Sequence, residues 1–257
     1  MQQESRRNQE QLQQAIERVQ REVVRSHEPW YRISWRARLL LGIYTLLLVL
    51  FALLAYYIHI HPILAIDVAI THEFQENQAP WLKVCMLAIS FLGNQPVLFT
   101  ALIVLTALVF WIVQLRLEAL LVVTLPAVSE LVNFLLKLIV SRPRPTSKLV
   151  EVLQSASGQS FPSGHVMSYV AFWGLIFSLG IILLKRDRWW HYMFLIIPAL
   201  LVVLVGTSRV YLGDHWASDV LGGYLLGGLL LGLTLWIYLK LQEQGFLALK
   251  RRDSHRI

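Results

Sequence analysis

Six stretches of this 257-residue chain are apolar over close to the length that crosses a bilayer: 38–60, 95–114, 117–139, 164–184, 191–208 and 217–240. A helical span needs about 20 such residues, because each residue rises about 1.5 Å against a hydrocarbon core of about 30 Å. Composition points the same way. Hydrophobic residues make up 56% of the chain and charged residues 15%, where a soluble domain carries about 25% charged residues. The mean hydropathy is +0.55. A soluble enzyme, a disordered protein and a coiled coil are set aside on these grounds. The expected fold is all-α, a polytopic membrane helical bundle with six transmembrane helices. The single cysteine, Cys85, leaves no intramolecular disulfide and no cysteine-based zinc site.

Residues 1–37 are polar, and Leu12, Ile16, Val19 and Val23 recur at helical spacing. They predict a cytoplasmic amphipathic helix, with Glu17 and Arg21 placed to pair on its exposed side. Trp30, Tyr31 and Trp35 follow, as expected where a chain meets lipid headgroups. The segment is too long and polar for the start of a signal peptide and shows no small-residue cleavage site. Between the first two spans, 81–92 is apolar but short, and reads as interfacial or re-entrant. The expected organisation is an extension over 1–37, one membrane domain over 38–240 and a basic cytoplasmic tail over 241–257.

Charge orients the bundle. With the N-terminus cytoplasmic, the inner segments hold seventeen of the twenty-three Lys and Arg residues and the outer segments six. That is a strong positive-inside asymmetry. It also accounts for the net charge of +7 through the anionic inner leaflet, so no nucleic-acid partner is needed.

Most of the six outer cations cluster. Lys137, Arg142 and Arg144 gather at the end of the third span, where Pro143 and Pro145 stop the helix. Arg209 lies at the outer end of the fifth. Interface anchoring explains a lone Lys137, which can snorkel outward. The fourth span opens Phe161-Pro162-Ser163-Gly164-His165. A helix start of this kind presents free amides to an anion, Gly164 lets that anion approach, and His165 exchanges protons near neutral pH. Before the sixth span, His215 and Asp219 stand four apart. On a helix they share a face, and the carboxylate can orient one ring nitrogen and leave the other nucleophilic. The same pair could ligate a metal. All three segments fall on one side of the membrane, which suits phosphoryl transfer: cations and amides hold the oxygens, one histidine attacks, and the other protonates the leaving group. Which histidine attacks is open on residue types alone. The partner at Asp219 favours His215.

At these positions the chain resembles the type 2 phosphatidic acid phosphatase superfamily. Lys137 with Arg144-Pro145 matches the first family motif, Pro162-Ser163-Gly164-His165 the second, and Ser208-Arg209 with His215 and Asp219 the third. The resemblance covers about 38–240 and implies an integral-membrane lipid phosphate phosphatase that works without cofactor or metal. It implies His215 as nucleophile forming a phosphohistidine, Asp219 orienting it, and His165 as general acid and then base. Lys137, Arg144, Ser163, Gly164 and Arg209 would bind the phosphoryl group. Arg142 lies outside the strict pattern and, with Ser208, is an accessory candidate. The substrate would be a lipid phosphate in the membrane, such as undecaprenyl diphosphate, phosphatidylglycerophosphate or phosphatidic acid. The site would face the outside of the plasma or inner membrane, with both termini cytoplasmic.

Other classes keep a place. A phosphotransferase would use the same residues with a different acceptor. A small transporter would need buried charge within the spans. Only Glu130 is charged in mid-span, and it is expected to hydrogen-bond between helices, with tuning of Lys137 two turns away as the second reading. A metallohydrolase built on His165, His215 and Asp219 lacks an acidic cluster.

Overall fold

The computed structural model describes residues 35–184 and 189–243. The expected amphipathic helix within 1–37 and most of the 241–257 tail lie outside these residues. The described chain is helical: α1 (Trp35–Ile60), α2 (Ala65–Gln75), α3 (Pro80–Asn94), α4 (Pro96–Ile112), α5 (Arg116–Val140), α6 (Gly164–Leu183), α7 (Trp189–Tyr211) and α8 (Ala217–Glu243). It divides into two packing units, one up to Leu46 and one from Leu47 onward. In the first, α1 is regular, with Thr45 Oγ1 donating to Leu41 O at 2.9 Å. The second holds everything described below.

Among the described residues, five helices are long and apolar enough to cross a membrane: the 38–60 part of α1, α5, α6, α7 from His191, and α8. The protein is a multi-pass membrane protein. The expected straight span over 95–114 takes a different form. Helix α4 has 17 residues, about 26 Å of rise, and joins α3 at a bend of 71°. The cause is local. Pro96 has no N–H to continue the helix, and Gly93 and Asn94 precede the break. The pair α3–α4 is thus one bent span or a re-entrant loop, with the apolar run 81–92 in its first arm.

Much of the exposed helix surface is apolar. Helix α4 has no buried residue, and Val97 and Ile112 are among its most exposed side chains. That pattern needs hydrocarbon around it. The interior is shared by α5, α6 and α8, where Leu121, Val122, Phe172, Leu175 and Tyr238 pack together. A second cluster joins Phe51, Val140, Phe161, Met167 and Leu226.

Small residues let α6 and α8 close on each other. A Cβ on Gly223 would lie 2.9 Å from Val166 Cβ and 3.0 Å from Ser163 O, and one on Gly227 would lie 3.2 Å from Val170 Cβ. Glycines four apart allow this approach between membrane helices. The contact sets the start of α6 against the start of α8, bringing His165 towards His215. Glu130 departs from expectation. It is exposed on α5 and has no hydrogen-bond partner among the described residues, because its position faces away from the neighbouring helices.

Candidate active site

The site lies where α5 and α7 end and α6 and α8 begin. Helix α5 stops at Val140 with Ser141 in a left-handed conformation, φ 51°. The prolines that follow keep the chain out of the helix. Helix α7 runs to Tyr211, so Arg209 is in its last turn. A tight turn follows at Gly213, φ 69°, where a Cβ would fall 2.1 Å from Glu151 O. Only glycine fits that conformation and that space.

His215 is not on a helix, contrary to the simplest reading of its spacing from Asp219. It sits in the turn, and α8 begins at Ala217. Asp219 Oδ2 accepts from the Trp216 N–H at 2.9 Å, so Asp219 caps the start of α8 in the manner of a capping box. The carboxylate lies 3.6 Å from His215 Nδ1, beyond hydrogen-bonding distance. Ser160 fills the interval. Its Oγ is 3.3 Å from Nδ1 and donates to Asp219 Oδ2.

The other ring nitrogen, His215 Nε2, is 3.2 Å from Arg144 Nη1. A guanidinium only donates, so Nε2 is the acceptor and the proton of the neutral ring is on Nδ1. The order is then Nδ1–H to Ser160 and Ser160 O–H to Asp219. Burial pushes His215 below the ordinary imidazole pKa, and Arg144 adds to that, while Asp219 opposes it. Burial also lowers Arg144, with Asp214 and Asp219 holding it up.

His165 is in the first turn of α6, and its Nε2 is 2.8 Å from Asn94 Oδ1. The amide oxygen accepts, so this nitrogen carries hydrogen. Asn94 is at the α3–α4 bend, held by its own bond to Ser90 Oγ at 2.9 Å. Gly93 makes room for the imidazole, since a Cβ there would stand 2.1 Å from His165 Cδ2.

The cations are arranged unequally. Arg209 is fully buried, with Nη1 on Asp214 Oδ2 at 2.5 Å and Nη2 on Gln154 Oε1 at 3.2 Å. Its Nε has no partner, nor has the buried Ser163 Oγ. Lys137 Nζ lies 3.6 Å from where a Cβ on Gly164 would be and has no hydrogen-bond or ion-pair partner among the described residues. No side chain caps the start of α6. These unspent donors suit a tetrahedral oxyanion. Arg144 and Asp214 also line a cavity of about 280 Å³ with Thr146, Ser147 and Gln154.

Two sequence candidates stand apart. Ser208 Oγ donates back to Val205 O at 2.7 Å within α7. Arg142 is fully buried and bonded to carboxylates, so its guanidinium faces away from the unspent donors. Sequence reasoning missed Ser160, Asn94, Asp214 and Gln154. Only Asp214 offered a signal, as a carboxylate five residues from Arg209.

Comparisons with known proteins identify the family of the chain. Residues 117–243 match the family described as the PAP2 superfamily. Phosphatidylglycerophosphatase B of Bacillus subtilis is 34% identical over 188 residues, 73% of this chain and 91% of that protein. A putative undecaprenyl-diphosphatase of Escherichia coli is 31% identical over 62% of this chain and 76% of its own length. The crystal structure of a transmembrane PAP2-type phosphatidylglycerolphosphate phosphatase from Bacillus subtilis superposes with a TM-score of 0.65 at 32% identity. It covers 77% of this chain and 96% of that one.

Proposed function

The chain belongs to the PAP2 superfamily of phosphatases, and from that premise we propose that it hydrolyses a membrane lipid phosphate through a phosphohistidine on His215. One observation carries this reading. Two histidines at one end of the helices present nitrogens in opposite states: His215 Nε2 bears a lone pair, and His165 Nε2 bears a hydrogen. The first is fit to attack, and the second can protonate when its ring carries hydrogen on both nitrogens.

In the first step the Nε2 lone pair of His215 attacks phosphorus, and the phosphorus–oxygen bond to the lipid breaks. His165, entering as the imidazolium, gives a proton to the departing oxygen and is left neutral. In the second, His165 takes a proton from water, the water oxygen attacks phosphorus, and the phosphorus–nitrogen bond breaks to release inorganic phosphate. Lys137, Arg144, Arg209, Ser163 Oγ and the Gly164 amide stabilise the equatorial oxygens in both steps. Ser160 and Asp219 stabilise the positive charge that His215 acquires, the role of an orienting carboxylate. Three cationic side chains supply the charge that a metal would otherwise provide, so the reaction is metal-independent.

The substrates are those to which similar relatives owe their names, a phosphatidylglycerophosphate or undecaprenyl diphosphate, with phosphatidic acid as a simpler analogue. The asymmetry of basic residues supports a site on the outer face of the plasma or inner membrane, with cytoplasmic termini. The test is phosphate release by the detergent-purified protein from these three lipids, with and without chelator, beside His215→Ala. Chelator-resistant release that vanishes in His215→Ala supports the reading. Release that persists in a folded His215→Ala protein, or that requires metal, overturns it.

A further inference from the structure

Asp67 lies on α2, outside every segment that carries the phosphatase motifs, yet it is 1% exposed. Its Oδ1 accepts from the Ser218 N–H at 2.9 Å. Its Oδ2 accepts from the Ser218 hydroxyl and from Arg142 Nη2, both at 2.6 Å. Ser218 is in the first turn of α8, so Asp67 clamps the start of the helix that carries Asp219.

Arg142 completes the connection. Its Nη1 reaches Asp219 Oδ1 at 2.6 Å and Ser218 Oγ at 2.7 Å, and its Nε donates to Pro62 O at 2.8 Å. One buried guanidinium is thus shared between two buried carboxylates. Stability alone is a poor reason for such a triad, since well-packed apolar residues often do as well. Electrostatics offers a better one. With Asp67 ionised, Arg142 is largely neutralised from behind, and Asp219 keeps negative charge to direct through Ser160 at His215. With Asp67 neutral, the full charge of Arg142 bears on Asp219 and weakens its hold on the histidine.

We propose that Asp67 is a positioning residue for the nucleophilic histidine: by sharing Arg142 with Asp219 and clamping the first turn of α8, it sets both the place and the strength of the carboxylate behind His215. This rests on the reading of His215 as nucleophile. Helix α2 is then part of the catalytic arrangement, although it carries no group that touches substrate.

The experiment uses the full-length protein in detergent with phosphatidic acid as substrate. Asp67→Asn keeps the shape and an acceptor for the Ser218 N–H while removing the charge. With a thermal unfolding transition retained, kcat falls about 10- to 100-fold and KM stays within about threefold. The loss is smaller than the ~10⁴ that a directly orienting carboxylate commands. A purely structural role does not predict this split, and a second readout separates the two further. Asp67→Asn is combined with Ser160→Ala. Distant independent sites give losses that multiply. A shared path through Asp219 gives a double-variant loss smaller than the product. Unchanged kcat in folded Asp67→Asn, or losses that multiply, overturns the proposal. If Asp67→Asn does not fold, Arg142→Lys, which keeps a charge but cannot bridge both carboxylates, is read in the same cycle with the same criteria. Wild type and His215→Ala run alongside. Failure there sinks the nucleophile assignment, whereas success there with unaltered Asp67→Asn sinks only the role of Asp67.

Discussion

The hydroxyl of Ser160 stands between His215 and Asp219, 3.3 Å from Nδ1 and bonded to Oδ2, while the carboxylate itself stays 3.6 Å from the ring. The histidine and the acid therefore communicate through an intervening donor and acceptor. Two other demands hold Asp219 back from the ring. It caps the Trp216 N–H at the start of α8, and it pairs with Arg142. With these duties the carboxylate stands back from the ring, and Ser160 bridges the gap, its N–H donating to Arg142 O at 2.8 Å.

Ser160→Ala follows directly. The histidine keeps its Arg144 contact but loses the acceptor that fixes its Nδ1–H tautomer. We expect kcat to fall about tenfold or more with KM little altered, since the phosphate-binding donors are untouched. Ser160→Thr, which keeps the hydroxyl, recovers part of that loss. Steady-state phosphate release decides it, and an Ala variant with wild-type kcat would show that Asp219 acts on the ring directly.

In the proposed mechanism, His165→Ala removes the acid of the first step and the base of the second. A loss of about 10²- to 10⁴-fold is expected on alkyl phosphates. An aryl phosphate needs little protonation of its leaving oxygen, so it restores phosphorylation of His215 but not hydrolysis. The variant then gives a stoichiometric burst of phenol followed by slow turnover. A burst-free, wild-type rate on both substrates would remove His165 from the mechanism.

The chemical groups of this site were far more legible in the sequence than the contacts that hold them. Lys137, Arg144, His165, Arg209 and His215 could be read because they stand at helix ends in a recurring order and break the charge asymmetry of the chain. Ser160, Asn94 and Asp67 could not. Each acts on residues 55 to 151 positions away, and no periodicity encodes such pairing. The spacing of His215 and Asp219 suggested a shared helical face. The turn at Gly213 and the cap made by Asp219 put the histidine outside the helix instead, and an acid three residues after Trp216 was the available sign of that cap. The bent pair α3–α4 was half visible. Pro96 marks the break, but the 71° bend that carries Asn94 to His165 depends on what α3 packs against.

The pH dependence has a definite sign. Burial and Arg144 hold His215 below its ordinary value of about 6.5. As nucleophile it must be neutral, so any acid limb of kcat/KM that it causes lies below about pH 6.5. Stability follows the same shift. Below about 6.5 the unfolded chain protonates this histidine and the folded one resists, so the stability tied to neutral His215 is complete above that pH and is lost as pH falls. Unfolding temperatures at pH 7.5 and 5 in detergent should therefore differ more for wild type than for His215→Gln. Equal differences would mean that the buried ring takes up its proton as readily as an exposed one.

Gly93→Ala separates site geometry from helix stability. The added methyl would lie 2.1 Å from His165 Cδ2 and 2.8 Å from Nε2, far inside contact distance, so the imidazole must swing away from Asn94. At the same time Ala favours the last turn of α3 over Gly by up to about 1 kcal/mol. Activity and stability should therefore part. We expect a loss of kcat approaching that of His165→Ala, with an unfolding temperature close to wild type. Gly93→Ala in a His165→Ala background should cost nothing further, because the group that the methyl displaces is already gone. A full additional loss in that double variant would mean that Gly93 serves the bend between α3 and α4, not the histidine beside it.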